Sequence, residues 1–310
     1  MTAATIQIHN RYTGGIETEQ VYGEPFLRFA YGNPLGRSLT WGLVSRPWLS
    51  RFYGWLMKRP SSVARIRPFM EAYGIDGSEF VDDPESFESF NAFFTRRLKP
   101  EARPLDERAD RVVFPADGRH SGWQELGRET AVFVKGQRWN VRQLLGDTHP
   151  HPERFEGGTL VLSRLCPTDY HHYHFPVSGT VEPGNWVGRR LFSVNPIALR
   201  RRLAYLWENK RCLRSIHSPE LGEVVFVEIG ATNVGSIRHH PLPDGNHARK
   251  GEMAGWFEFG GSSLITLFEP GRVALADDLL EATSKGLELY AHVGDTMGTF
   301  ASSMSGRACP

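Results

Sequence analysis

The spacing of hydrophobic positions changes about a third of the way along the chain. Up to about Asp106, after a short polar start, apolar residues recur at intervals of three and four and predict helices. The sharpest case is Pro47–Lys58, PWLSRFYGWLMK. Pro47 suits a first helical position. Trp48, Leu49, Phe52, Tyr53 and Leu56 share one helical face, with Arg46, Arg51, Lys58 and Arg59 around it. Two destinations are open to such a helix: packing on the protein's own core, or lying in an anionic lipid interface. A second helix is predicted after the Asp83-Pro84 cap, with Phe87, Phe90, Phe94 and Leu98 as its stripe and Arg96, Arg97 and Lys99 in its last turn.

Beyond Pro104 the period shortens. Runs such as Val112–Phe114, Ala131–Val134, Thr159–Leu162 and Val224–Val227 alternate with Gly, Pro and Asp and predict strands. A helical interruption is expected over Pro196–Trp207. The fold class is therefore α+β: a helical N-terminal region, residues 1–105, followed by a β-rich catalytic domain, residues 106–310. Two loosely similar pieces, Val177–Val181 and Gly294–Gly298, give the second part a barrel-sandwich-like texture.

Composition narrows the picture. The formal net charge of +1 over 310 residues implies no nucleic-acid partner. Three separated cysteines, Cys166, Cys212 and Cys309, outline neither a disulfide framework nor a cysteine-rich metal site, and fit a reducing compartment. The first residues lack a secretory pattern, and no apolar run approaches the ~20 residues that span a bilayer.

Three patches carry candidate chemistry. Phe114–Gly118 holds Asp117 in a turn-like setting. Asp169–Pro176, DYHHYHFP, places His171, His172 and His174 within four residues. Gly260-Gly261-Ser262-Ser263 links two strand-like runs, Trp256–Phe259 and Leu264–Phe268. By itself that link reads as a hairpin turn. It also sets a hydroxyl beside a glycine carbonyl that lacks the shielding of a Cβ. Asp117, His174 and Ser262 are of the types that make a carboxylate–imidazole–hydroxyl relay. A metal on His172 and His174 lacks a clear third ligand beyond His239-His240, so no metal is expected. His239, His240 and His247 are expected in loops.

Taken together, the patches resemble the phosphatidylserine decarboxylases, more closely their shorter bacterial group. The resemblance runs from His9–Gly14 through Ser89–Pro100, Pro115–Gly118, Lys135-Gly136, Asp169–His174, Ser193–Asn195 and Gly230–Ser236 to Gly260–Ser263. The family motif usually ends Gly-Ser-Thr; Ser263 stands here in place of the threonine and keeps a hydroxyl. The resemblance implies self-cleavage between Gly261 and Ser262, giving chains 1–261 and 262–310 and a pyruvoyl group from Ser262. It implies that Asp117 orients His174 and that His174 deprotonates Ser262; the product proton is expected to return from His171, with His174 as the competing candidate. It further implies a Schiff base with phosphatidylserine, release of CO2 and formation of phosphatidylethanolamine, at the cytoplasmic face of a membrane. Competing readings are a pyruvoyl-dependent decarboxylase of a free amino acid, a serine hydrolase that never cuts itself, and a non-catalytic β-rich module. Oligomeric state is left open.

Overall fold

The computed structural model describes residues 5–126, 132–134, 137–232, 236–242, 244–260 and 262–301. The chain opens on a hairpin, β1 (Gln7–Asn10) and β2 (Ile16–Thr18). A helical region follows: α1 (Glu24–Gly32), α2 (Pro34–Leu39), α3 (Pro47–Met57), α4 (Ile66–Tyr73) and the short α5 (Phe90–Phe94). The remainder is dominated by strands: β3 (Arg111–Val113), β4 (Gly118–Trp123), β5 (Val132–Val134), β6 (Gln137–Arg138), β7 (Thr159–Leu165), β8 (His172–His174), β9 (Gly179–Val181) and β10 (Asn185–Val187). Then come β11 (Arg211–Ser218), β12 (Gly222–Gly230), β13 (Ile237–His239), β14 (His247–Ala248), β15 (Met253–Phe257), β16 (Ser262–Phe268), β17 (Val273–Leu275), β18 (Glu288–Ala291) and β19 (Thr296–Phe300). Four helices punctuate them: α6 (Val141–Leu145), α7 (Pro196–Leu199), α8 (Tyr205–Glu208) and α9 (Asp277–Ser284).

Eleven strands form one mixed, open sheet in the order β14-β9-β11-β12-β16-β7-β4-β18-β1-β2, with β10 also paired to β11. This is the expected α+β composition. The N-terminal residues are not merely a polar lead-in: β1 lies parallel to β18, so the hairpin completes the sheet edge.

The centre of the sheet is covered on both faces, which explains why β7, β12 and β16 read as continuous apolar runs. On one face, Val161, Val224, Phe226, Leu264 and Phe268 pack with Tyr173 and Phe257 of the β13-β15-β8 sheet. The β17-β19-β3 sheet and α9 join the same core through Val273, Leu275, Met297 and Leu279. On the other, Leu160, Leu162, Val225, Ile265 and Leu267 meet Leu144, Leu199 and Leu206 of the short helices.

The α3 prediction holds, with Pro47 at its start and its end at Met57. The second helix is shorter than predicted. Asp83 caps only a 3-10 turn, Phe87 is extended, and the Ser89 hydroxyl accepts the Ala92 N–H to start α5 afresh. The stripe nevertheless finds one core: Phe87, Phe90 and Phe94 are buried, and Leu98 packs against them from a bridge with Phe80. Arg96, Arg97 and Lys99 lie past the helix end. The Pro196–Trp207 segment splits into α7 and α8. His239 and His247 sit on β13 and β14 rather than in loops.

Candidate active site

The link at Gly260–Ser263 is not a hairpin. β15, before it, pairs with β8 and β13, whereas β16, after it, pairs with β7 and β12. The chain therefore crosses from one sheet to another here, and the two strands never form a ladder with each other. Gly260 takes a φ of 136°, a conformation that side-chain-bearing residues rarely adopt. Gly261 lies outside the described residues.

Ser262 and Ser263 begin β16, opposite Leu165 and Arg164 of β7. Side chains alternate along a strand, so the two hydroxyls point to opposite faces. Ser262 shares the face of Leu264 and Phe268, toward the layer that carries β8. Ser263 shares the face of Ile265 and Leu267. Both side chains are fully buried, and neither Oγ has a hydrogen-bond partner. An unspent buried hydroxyl costs about 1–3 kcal/mol, which marks such a group as a candidate for chemistry rather than for stability.

The histidines divide by the same alternation. Tyr173 points inward to the large sheet, leaving His172 and His174 on the outer face of β8. His172 stacks on Tyr170 and Trp256, with ring centroids 5.2 and 5.8 Å apart. His174 places Nδ1 2.8 Å from the Gly251 carbonyl, and its Nε2 lies 3.5 Å from the Tyr170 hydroxyl. His171 precedes the strand and turns inward. Its ring stacks on Phe94 at 3.8 Å, and its Nε2 lies 2.9 Å from the carbonyl of Cys166, the residue after Leu165. A carbonyl only accepts, so Nε2 carries the proton. Nδ1 is then a free lone pair, buried and without a partner. Burial pushes the His171 pKa well below its ordinary value, which keeps the ring neutral; burial lowers that of His174 as well.

Asp117 does not hydrogen-bond His174 here. One oxygen accepts the Val293 N–H at 2.9 Å, and the other accepts from Arg103 Nε at 2.7 Å. Its charge still acts on His174 through space, in the direction that favours the imidazolium. The structure thus brings Asp117 and His174 into electrostatic range, and sets His171 beside the strand pair that carries Ser262.

An open cavity of about 130 Å³ borders this point. Gly260, Phe259, Cys166, Thr168, Ser193 and Asn195 line its inner part, and Tyr22, Phe26 and Leu27 of the helical region form an apolar rim. Arg164 and Glu19 lie in its wall. Arg164 is fully buried and bridges Glu19 at 2.6 Å and Glu288 at 2.5 Å, while Arg119 grips Asp169. Burial alone would raise the Glu19 pKa, but Arg164 and Arg119 overcome it and hold the carboxyl below its usual range. Sequence reading missed Arg164, Arg103 and the stacking of Phe94 on His171. Only Arg164 carried a signal: a lone charge inside the apolar strand TLVLSRL needs a buried partner.

Among the described residues, Cys212, Glu228 and His239 bring metal-ligand atoms within 4.8 Å of one another. The Glu228 carboxylate is already taken up by Arg214 and by His239, the latter at 2.6 Å. The cluster belongs to β11, β12 and β13, apart from His172 and His174.

A family model described as phosphatidylserine decarboxylase matches residues 90–299. Curated relatives agree along nearly the whole chain. A protein of Clostridium perfringens (strain SM101 / Type A) is 36% identical over 293 residues, covering 94% of this chain and 99% of its own length. One of Desulfitobacterium hafniense (strain Y51) is 36% identical over 293 residues, covering 94% and 98%. One of Chlamydia trachomatis serovar L2b is 35% identical over 303 residues, covering 98% and 100%. Each of the three is named a phosphatidylserine decarboxylase proenzyme.

Proposed function

Because the chain belongs to the phosphatidylserine decarboxylase family and is thereby a carboxy-lyase, we propose that it is made as a precursor that cuts itself between Gly261 and Ser262, and that the resulting pyruvoyl group decarboxylates phosphatidylserine to phosphatidylethanolamine. The observation that carries this reading is the buried, unpartnered Ser262 hydroxyl at the first position of β16, directly after a glycine-built crossing between two sheets.

In the cleavage, the Ser262 oxygen attacks the carbonyl of residue 261 and turns the peptide bond into an ester. Loss of the Ser262 α-proton then expels the carboxyl end of residues 1–261, and the dehydroalanine left at the start of 262–310 hydrolyses to pyruvoyl and ammonia. The alternation along β16 favours Ser262 over Ser263, because only Ser262 faces the histidine-bearing layer. Asp117 and His174 are the proposed relay, with the Asp117 charge favouring the imidazolium; to form it, Asp117 exchanges Arg103 for the imidazole, and β8 rearranges, because His174 leaves the strand on the face opposite Tyr173. The surroundings fit the prosthetic group. Ser262 has an unspent hydrogen-bonding position, and His171 offers an acceptor on the same end of β7.

The pyruvoyl group supplies an electrophilic carbonyl for the substrate's primary amine and an electron sink for the bond to CO2. His171, neutral with Nδ1 open, takes up the proton that the substrate ammonium gives off as it condenses, and returns it to the substrate α-carbon after CO2 leaves. Phe94 and Phe259 keep water from this point by packing against its apolar side.

The lipid surface is the proposed place of action. Eleven of the fifteen large apolar side chains exposed among the described residues fall between Tyr22 and Val63. On α3, Trp48, Phe52 and Trp55 point outward while Ser50 and Met57 are buried. The same stretch carries six Arg or Lys against one acid, Glu24, the balance that an anionic interface attracts. No helix among the described residues is long and apolar enough to cross a membrane. The rim of Tyr22, Phe26 and Leu27 joins this face to the cavity, which favours a lipid over a free amino acid as substrate. Denaturing mass spectrometry of the purified protein tests the proposal: chains 1–261 and 262–310, the latter opening on a pyruvoyl group, are expected. A single unmodified chain of 35.0 kDa sinks it.

A further inference from the structure

The short helix α5 touches both halves of the candidate centre. From its first turn, the Asn91 side-chain carbonyl accepts the Phe259 N–H at 3.0 Å, two residues before the bond between Gly261 and Ser262. From its last turn, Phe94 stacks on the His171 ring. Just past its end, the Thr95 carbonyl accepts from His172 Nε2 at 3.0 Å, and Arg96 donates to the carbonyls of Thr168 and Asp169 at 3.0 and 3.2 Å. Arg96 is itself 4% exposed and lies against the rings of Phe80 and Phe93. Six consecutive residues therefore hold the histidine segment at one end and the sheet-to-sheet crossing at the other.

We infer that Asn91 is a positioning residue for chain cleavage: its amide oxygen fixes the approach of Phe259 into the crossing and so steadies the segment that leads to the bond before Ser262. This rests on the cleavage reading above and names a group outside the relay. The physical reason is local. β15 ends at Phe257, so Phe259 no longer belongs to the β13-β15-β8 sheet, and β16 has not begun. Glu258 still has backbone support, donating its N–H to the Ser236 carbonyl. Among the described residues the Phe259 N–H is met by Asn91 alone, and the Phe259 ring is buried against Phe90, Phe94 and Tyr53. Asn91 thus provides the last directional contact before the glycines, where the backbone is freest. An attack within one chain depends on sub-ångström alignment, and misplacement by about 1 Å costs on the order of 100-fold.

The test is a time course of cleavage, followed by intact mass after expression and purification of the precursor. Asn91→Ala is expected to cleave on the order of 10- to 100-fold more slowly than wild type. Asn91→Asp, which keeps an acceptor oxygen in the same place, is expected to restore most of the rate. A merely structural role would not sort the variants by acceptor. Should Asn91→Ala fail to fold, Asn91→Leu, close in volume and lacking the acceptor, carries the same comparison. Cleavage of Asn91→Ala at the wild-type rate overturns the inference, as does equal slowing of the Ala and Asp variants. A wild-type chain that never cleaves sinks the cleavage reading itself, and the inference with it.

Discussion

Residues 22–63 and the central strands β7, β12 and β16 are both rich in large apolar side chains, and they send them in opposite directions. Val161, Val225, Phe226, Ile265 and Phe268 have no exposed surface. Trp41, Trp48, Phe52 and Trp55 are each more than half exposed. The strands are apolar on both faces because two layers cover them. The helices turn only part of their surface inward, through Ala30, Tyr31 and Met57, and no other element of the described structure covers the rest. Apolar area left in water costs roughly 25 cal/mol per Å², a cost that the proposed lipid surface would relieve.

Several experiments would break or sharpen that contrast. The largest effect belongs to the buried side. Ser262→Ala is expected to abolish cleavage and decarboxylation together, leaving one intact chain on denaturing gels. Next, His171→Ala is expected to cost about 10²–10⁴-fold in kcat, the usual worth of a positioned acid or base; turnover at the wild-type rate would remove His171 from the mechanism. Third, equal truncations should have unequal consequences in the two regions. Ile265→Ala is expected to lose about 2–5 kcal/mol in chemical denaturation, whereas Phe52→Ala should stay within about 0.5 kcal/mol. The reverse pattern would mean that α3 is a core helix. Fourth, a Trp48→Ser, Phe52→Ser, Trp55→Ser variant should bind anionic vesicles more weakly, and wild-type binding should fall as salt is raised. Unchanged binding would undo the lipid-surface proposal.

The smallest expected effect is in pH. Burial lowers the pKa of His172 to about 4 and that of His120 to about 3, from 6.5. Below pH 6.5 the unfolded chain takes up protons that the folded one refuses, so stability falls with pH from 6.5 toward 4. Residues 22–63 contain no histidine and contribute nothing to this slope. Melting temperatures across that range should decline for wild type and decline less for His172→Gln.

Most of the candidate chemistry was legible before any coordinates. The Gly-Ser pair, the clustered histidines and the acid at 117 are residue types whose reactivity is local. So was α3, because a helical stripe with Pro47 ahead of it depends on few distant contacts. The continuous apolar runs of β7, β12 and β16 likewise announced strands. What the sequence left undecided lies in long-range geometry. Gly260–Ser263 has the composition of a hairpin, and only the pairing of β15 and β16 with different neighbours makes it a crossing between sheets. The stripe after Pro84 has helical spacing, yet the Ser89 cap and the bridge from Phe80 to Leu98 break it while keeping its members in one core. Three adjacent histidines look alike in a row of letters. Alternation about Tyr173 sends His172 and His174 one way, and the bend before β8 sends His171 the other, against Phe94 and the Cys166 carbonyl. Local chemistry is written residue by residue; which side of a sheet it faces is fixed by partners far along the chain, and that is set only when the whole core closes.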